Sequence, residues 1–142
     1  MRSRSKRSSA AEAARYILRR LLWVDCIAGG VAGVTVLALS GWLSRIEGLP
    51  HKVLLFTGVV NLLYASCSFS LARRAERPRS GIKLLVAANL AWVPVCLGLA
   101  WTFREQATWL GLAHLTGEAV FVGGLALLEW KHREALLNAP DA

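Results

Sequence analysis

Charge is what this chain lacks over most of its length. Only 18% of its 142 residues are Asp, Glu, Lys or Arg, while 55% are hydrophobic. A soluble domain of that size needs a polar surface that such a composition does not supply. Acidic side chains are scarcer than basic ones, nine against 17. Cysteine is scarce as well, and Cys26, Cys67 and Cys96 stand alone, with no CxxC pair and no thiol in a loop. A disulfide-exchange enzyme would need exposed, paired thiols, so the three read as small apolar packing residues. No Ser/His/Asp set and no metal-ligand spacing occurs either. No catalytic site, metal or cofactor is therefore expected.

What the chain has instead is long apolar runs. They cover about residues 21–43, 53–72, 82–103 and 108–130. At about 1.5 Å of rise per residue, a helix of 20 or more residues crosses a hydrocarbon core of roughly 30 Å. The expected fold is all-α: a polytopic membrane protein whose four transmembrane helices form one antiparallel bundle over residues 21–130. A basic leader (1–20) precedes it, disordered to about Ser9 and then helical under a Ser8 or Ser9 cap. A short tail (131–142) follows. The first run is too long for a signal-peptide core and carries Asp25, which argues against cleavage.

The bases are clustered, and their clustering sets an orientation. Fourteen of them lie in the leader, the second connection and the tail; only Arg45, Lys52 and Arg104 lie in the other two connections. The positive-inside rule then puts both termini in the cytoplasm of a bacterial inner membrane. Trp23, Trp42, Trp101, Trp109 and Trp130 fall near the ends of the runs, as interfacial anchors do, while Trp92 lies inside one. A net charge of +8 placed this way serves anionic lipid headgroups at the leader and inner connection, with no nucleic-acid role. The expected partners are the bilayer and either a second copy of the chain or another membrane protein.

The connections are brief. "SRIEGLPHK" carries Gly48 and Pro50 as a turn, "RRAERPRSG" carries Pro78 and Gly81, and "FREQAT" is short enough to make helices three and four neighbours. Pro94 should kink the third helix and release the carbonyl of Leu90.

Against this apolar background the polar side chains carry the information: Asp25, Asn61, Tyr64, Asn89, Trp92, His114 and Glu118. Asn61 and Tyr64, and likewise Asn89 and Trp92, are three apart; His114 and Glu118 are four apart. Each pair shares a helix face. Asp25, Gly29 and Gly33 recur every fourth residue, a stripe on which another helix can approach closely. Gly117 and Gly123 are the corresponding packing candidates on the fourth helix. Glu129 lies 11 residues after Glu118, on the same face. One polar stripe per helix predicts a cluster in the bundle centre.

An ionised carboxylate at mid-bilayer costs about 2.5–3.5 kcal/mol on insertion scales. Such an acid is either protonated, or held by Asn, Tyr and His donors, or bound to a cation. Interhelical hydrogen bonds, worth about 0.6 kcal/mol each, account for Asn and Tyr without any function. Glu118 is different, because Gln would join helices as well at lower cost.

The Asp of the first run, "NLLY" in the second, "NLAW" in the third and "GE" followed by "LEW" in the fourth together resemble small uncharacterised bacterial four-helix integral membrane proteins. The resemblance covers about residues 20–131. It implies the architecture and carries no reaction with it. The expected function is a small proton-linked carrier or accessory subunit working through Glu118 and Asp25. A structural or assembly protein whose polar residues only fix packing is the alternative, and a membrane-embedded enzyme is a distant third.

Overall fold

The computed structural model describes residues 2–74 and 78–133, with side chains from Arg20 onward. The middle of the second connection and most of the tail lie outside those residues, and Ser8 and Ser9, expected to cap a helix, fall inside one that begins at Arg2. Four helices make up the described chain: α1 (Arg2–Glu47), α2 (His51–Ala72), α3 (Arg79–Thr102) and α4 (Trp109–Lys131). The bounds of α1 take in the leader. In each helix a segment is long and apolar enough to cross a membrane, beginning at Arg20 in α1. α3 runs unbroken through Pro94.

The end of α1 departs from expectation. "SRIE" is helical rather than loop, so α1 continues one turn further and stops at Glu47. Gly48 explains the stop. Its φ of +67° is the one positive φ among the described residues, and its N–H closes on the Ser44 carbonyl at 3.1 Å. A left-handed glycine ends a helix in this way without the penalty a Cβ would bring. A Cβ here would also stand 2.3 Å from the carbonyl oxygen of Gln106.

The turn is thus packed against the α3–α4 connection, where Thr108 joins two helix ends. Its side chain caps α4 by accepting from the Gly111 N–H. Its own N–H donates to the Glu47 carbonyl at 2.8 Å, and its hydroxyl to the Ile46 carbonyl at 2.8 Å. One threonine therefore satisfies orphan groups at the start of α4 and at the end of α1.

α1 packs chiefly on α2, and α3 on α4; α1 also meets α4, whereas α2 and α3 barely touch. Small residues set the first contact. A Cβ on Gly33 would stand 3.0 Å from the Gly58 carbonyl oxygen and 2.8 Å from Leu62. Gly29 faces Ala65, with a Cβ-to-Cβ separation of 3.5 Å. The Asp25 stripe thus faces α2, with the backbones close enough for small-residue packing.

Two apolar clusters lie towards opposite ends of the helices. One gathers Leu22, Ile82 and Leu85; the other gathers Val36, Leu49, Leu54, Ala100 and Leu115. Between them along α3 come Asn89 and Trp92. The distribution inverts that of a water-soluble protein: Glu129 is 0% exposed and Asp25 2%, while Val120 is 76% and Leu127 67% exposed. Large apolar side chains thus make up much of the outer surface of the four helices.

Candidate functional site

The seven polar residues do converge, but on two levels, and three further side chains join them. The first level contains Asp25, Tyr64 and Asn89 together with Ser68 and Glu129. Asn89 donates one amide hydrogen to the Tyr64 oxygen and the other to Glu129 Oε2 at 3.4 Å. The Tyr64 hydroxyl hydrogen-bonds Asp25. Ser68 Oγ lies 3.0 Å from Asp25 Oδ2 and 3.2 Å from the Leu22 carbonyl oxygen. All four helices contribute to this chain of bonds. Glu129 Oε1 is buried and has no partner.

Glu118 organises the second level. Its Oε1 accepts from Asn61 Nδ2 at 2.9 Å and from Trp92 Nε1 at 2.8 Å. Its Oε2 is buried and without a hydrogen bond, and faces His114 Nε2 at 3.8 Å. The other ring nitrogen, Nδ1, lies 3.1 and 3.0 Å from the two oxygens of Glu47. With both oxygens of one carboxylate facing it, Nδ1 is assigned the ring hydrogen, which leaves Nε2 facing Glu118.

Local folding places Glu47 there. A Cβ on Gly111 would stand only 2.4 Å from the Glu47 carbonyl oxygen, so the first turn of α4 abuts the last turn of α1 only because residue 111 is glycine. One turn further along α4 comes His114. This residue pairing is what the expected loop hides, and the extra helical turn to Glu47 produces it. Ser68 is the other missed member. The 61–64–68 spacing on α2 is its signal, since it continues the stripe begun by Asn61 and Tyr64. Glu129 shares its face with Glu118 yet belongs to the Asn89 level.

A cavity of about 290 Å³ joins the two levels. Asp25, Tyr64, Asn61, His114 and Glu118 all line it, with Phe121 among the apolar groups. The lining holds two carboxylates and no Lys or Arg. Gly29 and Gly117 are also part of its lining. Gly117 was expected to pack a helix, but a Cβ there meets nothing within 4 Å; it provides room instead. Gly29 and Gly33 pack against α2, and Gly123 is in ordinary contact with Val93 of α3, a Cβ separation of 3.4 Å.

A second, larger cleft of about 620 Å³ separates α2 from α3. It is mostly apolar, with Leu63, Leu84 and Ala88 on its flanks and Arg74 at the loop end. Asn61, Tyr64, Asn89 and Trp92 form its polar inner wall. Each of the four hands a hydrogen to a carboxylate behind it: Asn61 and Trp92 to Glu118, Tyr64 to Asp25, Asn89 to Glu129. Asn61, Tyr64 and Val122 line both spaces.

Among the described residues no group of three or more His, Cys, Asp or Glu side chains is arranged to hold a metal ion. Cys26, Cys67 and Cys96 are unlinked thiols. No family model, curated protein or solved structure matches the chain.

Proposed function

We propose that this is a bacterial inner-membrane protein, an antiparallel four-helix bundle with both termini cytoplasmic, and that it works as a small proton-linked carrier. Membrane insertion is supported by the exposed apolar faces and by Trp23, Trp42, Trp101, Trp109 and Trp130, all at least 42% exposed. Orientation rests on the basic leader and second connection against the sparsely charged opposite end.

The observation that carries the proton reading is Glu118. One of its oxygens accepts two hydrogen bonds, while the other is buried, unpartnered and turned toward His114 Nε2. At 3.8 Å the two atoms are not hydrogen-bonded, and a small approach would bring them within reach of a proton. Glu47, on the far side of His114, holds the ring in the orientation that faces Nε2 toward Glu118. At the cavity's other side, Ser68 supports two proton states. It donates to Asp25 when the acid is ionised, and turns to the Leu22 carbonyl when Asp25 itself donates. At this level a proton is gained or lost while Ser68 keeps a hydrogen-bond acceptor in either state.

The test uses protein reconstituted in liposomes loaded with a pH-sensitive dye. A panel of cationic, anionic and neutral solutes is added across a pH gradient. Solute-dependent proton movement is expected from the wild type and not from Glu118→Gln, with both proteins inserted to the same extent. If no solute moves protons, or if Glu118→Gln moves them as well as wild type, the carrier reading is wrong.

A second reading, a structural or assembly subunit, draws on the bonds of Asn89, which tie α3 to both α2 and α4. It requires a stable membrane partner; a protein that stays monodisperse and captures none in native-membrane crosslinking counts against it.

A further inference from the structure

The central cavity has a chemistry of its own, and it narrows what would be carried. Its lining presents Asp25 and Glu118, no Lys or Arg, and the rings of Tyr64 and Phe121. Buried, unpartnered carboxylate oxygen beside aromatic faces is a setting for an organic cation: the carboxylate supplies charge and the rings supply cation–π attraction. At about 290 Å³ the space lies at the lower edge of small-molecule pockets, which run from roughly 300 Å³ upward. We infer that the cavity binds a small organic cation with an apolar body, held at Glu118 in place of a proton and admitted sideways through the α2–α3 cleft.

This deepens the carrier reading and rests on it for the transport step alone. Proton and cation compete because both neutralise the same Oε2. When Glu118 is protonated the attraction is gone, and when the cation is bound the proton is expelled. Uptake of one is then tied to release of the other, without further moving parts.

The cleft supplies the route. Arg74 stands at its loop end and repels a cation there, so access lies through the flank between Leu63 and Leu84, which are 63% and 70% exposed. The inner wall consists of the donors that screen the carboxylates. Asn61 and Trp92 keep their hydrogens on Glu118 Oε1, and an arriving cation meets the unpartnered Oε2. Asn61 and Tyr64 belong to both spaces and so join the cleft to the cavity.

Several titratable groups surround Glu118, and the pH response belongs to the set. They are Asp25 and, behind His114, Glu47 on α1; Tyr64 on α2; Cys96 on α3; and His114 on α4 itself. A proton added to Asp25 or His114, both of which line the cavity, makes the lining more positive. Each therefore weakens cation binding in the same direction as protonation of Glu118.

Titration calorimetry of purified wild type in detergent with benzyltrimethylammonium tests the inference, with benzenesulfonate and benzyl alcohol as anionic and neutral controls. The cation alone should bind, and its affinity should fall as pH falls, approaching about tenfold per pH unit when one proton competes. Glu118→Gln should lose at least about tenfold in affinity together with the pH dependence. Gly117→Leu, which fills the cavity from a position with open space around it, should abolish binding and keeps the test decisive if the glutamine variant fails to fold. Equal binding of sulfonate or alcohol, or pH-dependent binding that survives both substitutions, overturns the inference. Proton movement driven only by anionic or neutral solutes in the liposome assay overturns it while leaving the carrier reading intact. Proton-competitive cation binding without any proton movement keeps the site and removes the carrier.

Discussion

His114 Nδ1 lies 3.0 Å from Glu47 Oε2 across 67 residues of sequence, and this contact joins the end of α1 to the first turns of α4. It orients the histidine: Nδ1 directs its hydrogen toward Glu47, and Nε2 is left facing Glu118 at 3.8 Å. Replacing Glu47 by Gln removes the double acceptor and lets the ring adopt the other tautomer. Proton movement in liposomes should then drop several-fold, while binding of the cation probe in detergent stays near wild type, because Glu47 does not line the central cavity. Equal loss of both would mean that Glu47 only holds the fold.

Gly111 tests how that contact is built. A methyl group at this position meets backbone, the Glu47 carbonyl oxygen at 2.4 Å, and backbone does not yield as a side-chain tip does. Gly111→Ala should lower stability by about 1–3 kcal/mol, the usual cost of overpacking, measured by thermal unfolding in detergent. Gly117→Ala is the control, since nothing lies within 4 Å of its Cβ. It should unfold like wild type, and by helix propensity should gain slightly if anything.

How much of this was legible beforehand varies by kind of signal. The four spans follow from length and hydropathy, and the convergence of Asp25, Asn61, Tyr64, Asn89, Trp92, His114 and Glu118 follows from helical spacing. The division into two levels does not, because it depends on how far each helix slides against its neighbours. Glu47 was hidden for a different reason. It lies beside Gly48 and Pro50 in a stretch that reads as loop, and only the exact place where Gly48 turns left-handed decides whether the residue before it is helical. Gly117 shows the converse limit: a glycine in an apolar helix reads the same whether it admits a neighbour or leaves a space.

Asn89 spends both amide hydrogens, one on Tyr64 and one on Glu129. Removing it leaves the buried carboxyl of Glu129 with neither oxygen partnered, since Oε1 already lacks a partner. Asn89→Leu should therefore cost about 1–3 kcal/mol of stability, the penalty for stranding a buried polar group. The double variant Asn89→Leu with Glu129→Leu removes both members and should recover most of that loss. A double variant as unstable as the sum of the single ones would show that the two residues are not coupled.

The cleft can be probed with the cysteine already in its wall. Cys67 is exposed and lines the space between α2 and α3, whereas Cys96 is buried and Cys26 is only partly accessible. A lipid-soluble maleimide should modify Cys67 first, followed by mass spectrometry of the intact protein. The added group occupies the route to Asn61 and Trp92 without touching Glu118. Solute-driven proton movement in liposomes should fall to a small fraction of its starting value in step with labelling. The Cys67→Ser variant should transport normally and resist the reagent. A fully labelled protein that still moves protons at the wild-type rate would place the route elsewhere, along the open groove between α1 and α4 where Val31, Leu43 and Glu47 lie.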